Sequence, residues 1–92
     1  MKSILQNKKK CFICPRTYGL HDHHIYFGSN RKTSEKHGFK CWLCYDHHEG
    51  TYGVHGKHGH KLDIYLKQTC QLKYEEQYSR ESFINLIYKN YL

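Results

Sequence analysis

Long apolar runs are missing from this sequence. No stretch approaches the ~18 consecutive apolar residues of a membrane-spanning helix, and Met1 to Lys10 lack the apolar run of a secretory signal. These absences argue against a secreted or membrane-spanning protein and point to the cytoplasm. Acidic residues are scarce: eight Asp and Glu stand against fifteen Lys and Arg, a formal net charge of +7. Proline occurs once, at Pro15, and neither glycine nor proline occurs beyond residue 60. Core-forming material is short as well. The 92 residues (11.1 kDa) make a single domain that is only 38% hydrophobic, with a mean hydropathy of −0.89. A chain of this size buries about 60–65% of the surface its unfolded form exposes, so a staple beyond the apolar core is expected. A reducing cytosol keeps thiols free, which argues against disulfides in that role.

What is present is unevenly placed. Residues 1–60 hold ten basic and four acidic side chains, whereas residues 61–92 hold five and four. The basic part also carries all nine histidines, four of the five cysteines and all seven glycines. A basic surface around such groups attracts a polyanion, and nucleic acid is the usual one. Residues 1–10 read as a flexible basic lead-in ending in Lys8-Lys9-Lys10. Two strands are expected in the glycine-rich part, at His24–Phe27 and Phe39–Leu43, where aromatic and large apolar residues gather. From Lys61 the texture changes. Leu62, Tyr65, Leu66, Thr69, Cys70, Lys73, Tyr74 and Gln77 follow helical steps with no breaker among them. Ser79 reads as the N-cap of a second helix, about 79–91, with Glu81 in its first turn and Phe83, Ile84, Ile87 and Tyr91 on one face. The fold class is therefore α+β, with residues 11–92 as one domain.

Cys11-x-x-Cys14 and Cys41-x-x-Cys44 read as two knuckles of one tetrahedral zinc site. The apparent binding energy of structural zinc, roughly 10–16 kcal/mol, is large enough to hold a fold with a thin core. Cys44-Tyr45-Asp46-His47 is a competing knuckle, and spacing alone does not choose between Cys41 and His47 as fourth ligand. Cys70 lies on the apolar helix face as a small core residue.

His23-His24-Ile25 stands at the first strand, and Leu43-Cys44-Tyr45-Asp46-His47-His48 follows the second. This order of knuckle, His-His, strand, strand, knuckle and His resembles the HNH, or ββα-metal (His-Me finger), endonucleases. It is most similar to small phage and prophage members with a structural zinc knuckle. The resemblance covers residues 11 to about 60, with a ββα core to about 75 that includes the following helix. It implies zinc ligands Cys11, Cys14, Cys44 and His47, with Cys41 the runner-up. It also implies His24 as general base, His23 as a metal ligand where the family often has Asp, and His48 as a second ligand. Two positions depart from the family pattern. Phe39 stands where a bracing Asn is usual, a role Asn30 is a candidate to assume, and Tyr52 stands where the last His is usual. Gly50 and Gly53 break any helix there, so His55 is expected to supply the third ligand from a loop, with His58 and His60 behind it. His60 at the helix start is also a candidate phosphate donor. His21 and His37 are assigned no role.

Neighbouring strand side chains point to opposite faces, so His23 and His24 share one site only if a bulge or twist turns them together. The expectation is that residues 23, 24 and 48 converge on a second cation: Mg, Mn, Ni or Zn, the histidines favouring the later metals. Such an ion would support attack by a deprotonated water on a phosphodiester, with a histidine accepting the proton. Arg31 and Lys32 in the hairpin loop, together with Lys57, are candidate DNA-backbone contacts. The implied protein is a DNA endonuclease in the cytoplasm of a bacterial host, encoded by a phage or prophage. The helices offer apolar faces either for a homodimer or for the core. Two other classes remain: a zinc-stabilised nucleic-acid binder without turnover, and an interaction module in a phage protein complex.

Overall fold

The chain runs through β1 (Leu20–His24), a 3-10 turn (Gly28–Asn30), α1 (Arg31–His37), β2 (Lys40–Cys44), α2 (Tyr45–His48), α3 (His60–Tyr74) and α4 (Arg80–Ile87). This is a computed structural model that describes residues 2–92. The class is α+β: the described residues form one antiparallel two-stranded sheet and four α-helices. β1 and β2 pair in unbroken register from Leu20 opposite Cys44 to His24 opposite Lys40. Paired residues share a face, so Asp22, His24, Lys40 and Trp42 line one side of the sheet, while His21, His23, Cys41 and Leu43 line the other.

β1 ends where it was expected to begin. Ile25 and Tyr26 are apolar enough for a strand, but their side chains are fully buried beyond the ladder. Only the Ile25 N–H continues the pairing, donating to the Phe39 carbonyl at 2.9 Å. Aromatic and branched residues here mark core burial more than pairing. β2 starts one residue later than expected for the same reason: Phe39 turns into the core.

The connection between the strands is not an open hairpin loop. It contains α1, seven polar residues whose helix ends at Gly38 in the left-handed region (φ 74°). Ser34 fastens it. This fully buried hydroxyl donates to the Tyr26 carbonyl at 2.6 Å and accepts from the Tyr26 N–H at 3.2 Å. Asn30 does not brace the site. Its side-chain amide donates to the Ile87 carbonyl at 3.1 Å, tying the 3-10 turn to α4.

The core is aromatic. Phe39 meets Tyr26 and Tyr74 edge-on at 5.6 and 5.5 Å between ring centroids, and Phe83 packs against Tyr26 at 5.4 Å. Such edge-to-face contacts add to the area these rings bury. α3 buries Leu66, Cys70, Gln71 and Tyr74, and leaves Tyr65 exposed. Ser79 caps α4 by accepting from the Ser82 N–H at 3.0 Å. That helix stops at Tyr88 (φ 67°), short of the expected 91, and Tyr91 folds back to within 5.5 Å of Tyr26. The lead-in expected to fray lies along β2. The Ser3 hydroxyl donates to the Lys40 carbonyl, the Ile4 N–H donates to Gly38 (2.9 Å), and the Gln6 amide oxygen accepts from the Trp42 N–H (2.8 Å). An edge strand's free polar groups are thereby covered. Among the described residues, no helix is long and apolar enough to cross a membrane.

Candidate functional site

Two clusters of metal-ligand type side chains form around the β2–α2 junction. In the first, Cys11, Cys14, Cys44 and His47 bring one ligand atom each to within 4.8 Å of one another. Cys14 Sγ is 3.8 Å from Cys44 Sγ, and His47 Nδ1 is 3.7 Å from Cys11 Sγ and 3.1 Å from Cys44 Sγ. A zinc tetrahedron with Zn–S near 2.3 Å and Zn–N near 2.0 Å has edges of about 3.5–3.8 Å. The donor set fits a structural metal such as zinc; two of the three spacings are close to a tetrahedral edge, and the His47–Cys44 spacing is shorter.

Why His47 and not Cys41 completes the set follows from local structure. β2 runs from Lys40 to Cys44, so residues three apart on it face opposite sides. Past Cys44 the chain turns helical, and residues three apart then share a face. Cys41 is buried at the far side of the sheet, where burial raises its thiol pKa strongly. Burial also raises Cys11, but hydrogen bonds with the backbone of Cys44, Ile13 and Cys14 outweigh it and bring the thiol down to about 6. Such a thiol is ready to bind as thiolate. At Cys14 the backbone of Arg16 favours the thiolate, yet partial burial and the crowding sulfurs of Cys11 and Cys44 raise its pKa on balance.

The second cluster is His23, His48 and His55, again with ligand atoms within 4.8 Å of one another. Ring centroids lie 5.2 Å apart for 23 and 48, 5.3 Å for 23 and 55, and 4.8 Å for 48 and 55. His23 is 2% exposed, and its Nε2 has no hydrogen-bond partner. Buried polar atoms are rarely left so. Burial, with His48 and His55 nearby, pushes its pKa down to about 3, and His48 is lowered in the same way. His23 is thereby held neutral near pH 7 and keeps a lone pair for a ligand.

His55 reaches the cluster on a loop held by its own backbone. The Gly53, Gly56 and Gly59 amides donate to the carbonyls of Gly50, Gly53 and Gly56 at 2.8–3.1 Å, a ladder of period three. The Val54, His55 and His58 amides bond back to His47, His48 and Thr51 at 2.7–3.0 Å. A Cβ at Gly56 would collide with the Gly50 carbonyl oxygen, and one at Gly59 with that of Gly53. Only glycine permits this close approach. His58 and His60 are exposed and lie outside the cluster, as does His37, which stacks on Phe39 at 5.6 Å.

His24 is not part of this cluster, which corrects the expected convergence of residues 23, 24 and 48. The register carries no bulge, so His24 faces the other side of the sheet. There its Nε2 lies 2.9 Å from Glu35 Oε1. That hydrogen bond, followed by those from Lys40, holds the Glu35 carboxyl down to about 2. Lys40 Nζ stands 3.0 Å from Glu35 and 3.4 Å from Asp22, so an ammonium already sits among these carboxylates.

Sequence reasoning passed over two of these residues. His21 Nδ1 lies 2.8 Å from His48 Nδ1, and its place two residues before His23 on one strand was the available signal. Glu35 gave none, because nothing local says that α1 packs beside β1. Of the basic candidates, Arg31 and Lys32 are exposed in the first turn of α1 rather than in a hairpin loop, and Lys57 is exposed on the glycine loop near His55. Comparison with protein-family models, with curated proteins and with solved structures finds no match for this chain.

Proposed function

We propose that the chain is a metal-dependent endonuclease of the ββα-metal kind, cutting phosphodiester bonds in DNA. One observation carries this reading: three imidazoles on separate segments converge, with the buried Nε2 of His23 unpartnered among them. His23, His48 and His55 would hold a divalent cation, while Cys11, Cys14, Cys44 and His47 would hold structural zinc. An all-nitrogen set suits Mn, Ni or Zn better than Mg. When bound, the cation would supply charge stabilisation at the scissile phosphate. His24 is the general base. With its Nε2–H donated to Glu35, a neutral His24 would offer the Nδ1 lone pair to take the proton from water. Arg31, Lys32 and Lys57 would contact backbone phosphates and carry no sequence information.

The facing of His24 favours one alternative, a zinc-stabilised nucleic-acid binder without turnover, because base and cluster lie on opposite sides of β1. Supercoiled plasmid decides between them, incubated with the zinc-loaded protein and added Mg, Mn or Ni. Nicked circles that vanish in His24→Ala and His55→Ala, with zinc content and fold retained, support the enzyme. Binding of plasmid with no nicking in any metal supports the binder.

A further inference from the structure

The sheet face that carries His24 continues into a groove of about 430 Å³. Its floor is Trp42, paired across the ladder with Asp22, and its wall is the lead-in segment that lies along β2. Lys8, Lys9 and Lys40 line it, and Asp22 is the acidic residue among them. Trp42 is half-buried, its backbone N–H donates to Gln6 Oε1, and the Lys9 ammonium stands 4.6 Å above the ring centre. None of these residues belongs to either histidine or cysteine cluster.

We infer that this groove binds a nucleic-acid strand, with one base stacked on the Trp42 indole and the adjoining phosphates held by Lys8 and Lys9. Three observations argue for that occupant. The lining is basic in a chain of net charge +7, complementary to a polyanion. A ring that presents a π-face inside a basic groove is the arrangement that single strands use without sequence preference. The volume falls in the range of small-molecule pockets, which leaves room for a base and its phosphate. Lys9 does not block the ring. An exposed cation–π contact is weaker than base stacking, so an arriving base displaces the ammonium, which then meets the neighbouring phosphate. Lys40 stands in the groove and also beside Glu35, so a strand seated on Trp42 passes next to His24. The identity of the ligand rests on the nuclease reading; the groove itself does not.

Trp42 is the chain's single tryptophan, so its emission reports this groove alone. The zinc-loaded protein, without other added divalent ion, is titrated with a short oligothymidylate and separately with heparin, a polyanion that has no bases. The expected result is saturable quenching by the oligonucleotide and little by heparin. Lys9→Glu is expected to weaken oligonucleotide binding about tenfold, and Trp42→Ala by tenfold or more in the anisotropy of a labelled strand. Trp42→Phe, which keeps a ring, restores most of that loss. Equal quenching by heparin, or unchanged affinity in both Lys9→Glu and Trp42→Ala, overturns the inference. Plasmid nicking by a protein whose Trp42 emission ignores the oligonucleotide also overturns it and leaves the nuclease reading standing. Quenching without nicking in any metal does the reverse.

Discussion

Replacing Cys14 by serine should unfold most of the protein at room temperature. The side chain is only half-buried, and serine differs from it by one atom, so lost packing is a small part of the effect. What the change removes is one of four donors, the sulfur 3.8 Å from Cys44 Sγ. A chain of 92 residues has a total stability of about 5–14 kcal/mol at 0.05–0.15 kcal/mol per residue. Structural zinc contributes an apparent ~10–16 kcal/mol. The metal's contribution is thus as large as the whole margin, and a site weakened at one corner leaves little fold to measure. Cys41→Ser is the control. It places a hydroxyl in a buried position on the opposite side of the sheet, costs about 1–3 kcal/mol, and leaves the donors untouched. Zinc content after gel filtration, read beside far-ultraviolet circular dichroism melts, separates the two. Wild type and Cys41→Ser should each retain about one zinc per chain, and Cys14→Ser should lose it. The reasoning fails if Cys14→Ser keeps its zinc and melts like wild type, or if Cys41→Ser is the variant that loses the metal.

Two other substitutions probe the rest of the domain. Phe39→Ala should cost about 3–5 kcal/mol in urea unfolding, because a fully buried ring between Tyr26 and Tyr74 is removed; a loss under 1 kcal/mol would contradict its place in the core. Glu35→Gln should lower the melting temperature at pH 6, and the gap from wild type should close with acid. The Glu35 carboxyl is held down to about 2 by His24 and Lys40, so its contribution is complete above its ordinary value near 4.5 and disappears as pH falls through that window toward 2. Melts of both proteins at matched pH read the difference, and a gap that widens on acidification counts against the His24–Glu35 pair.

The parts of this molecule legible in the sequence are those fixed over a few residues. Cys11 with Cys14, and Cys44 with His47, are spaced so that one turn of chain aims two donors at one point. The glycines around His55 exclude a helix, which left a loop to bring that ring to the cluster. The Ser79 cap is equally local. α1 escaped notice because Arg31–His37 has no apolar face; of its residues only Ser34 is buried, and it acts through hydrogen bonds. β1 was placed too late because Ile25 and Tyr26 signal burial without saying whether a partner strand or a core receives them. The partner of His24 was beyond reach for a different reason. Glu35 meets it across a contact between α1 and β1 that only the folded chain creates.

The glycine ladder has a consequence for how this protein can vary. The course of residues 50–59 is written in main-chain bonds, with glycine required where carbonyls press closest and nothing comparable asked of the positions between. Thr51, Tyr52, Lys57 and His58 point outward from a rail that does not depend on them. Their identities can drift, retuning what meets an incoming ligand at that rim, while the imidazole at position 55 stays in register.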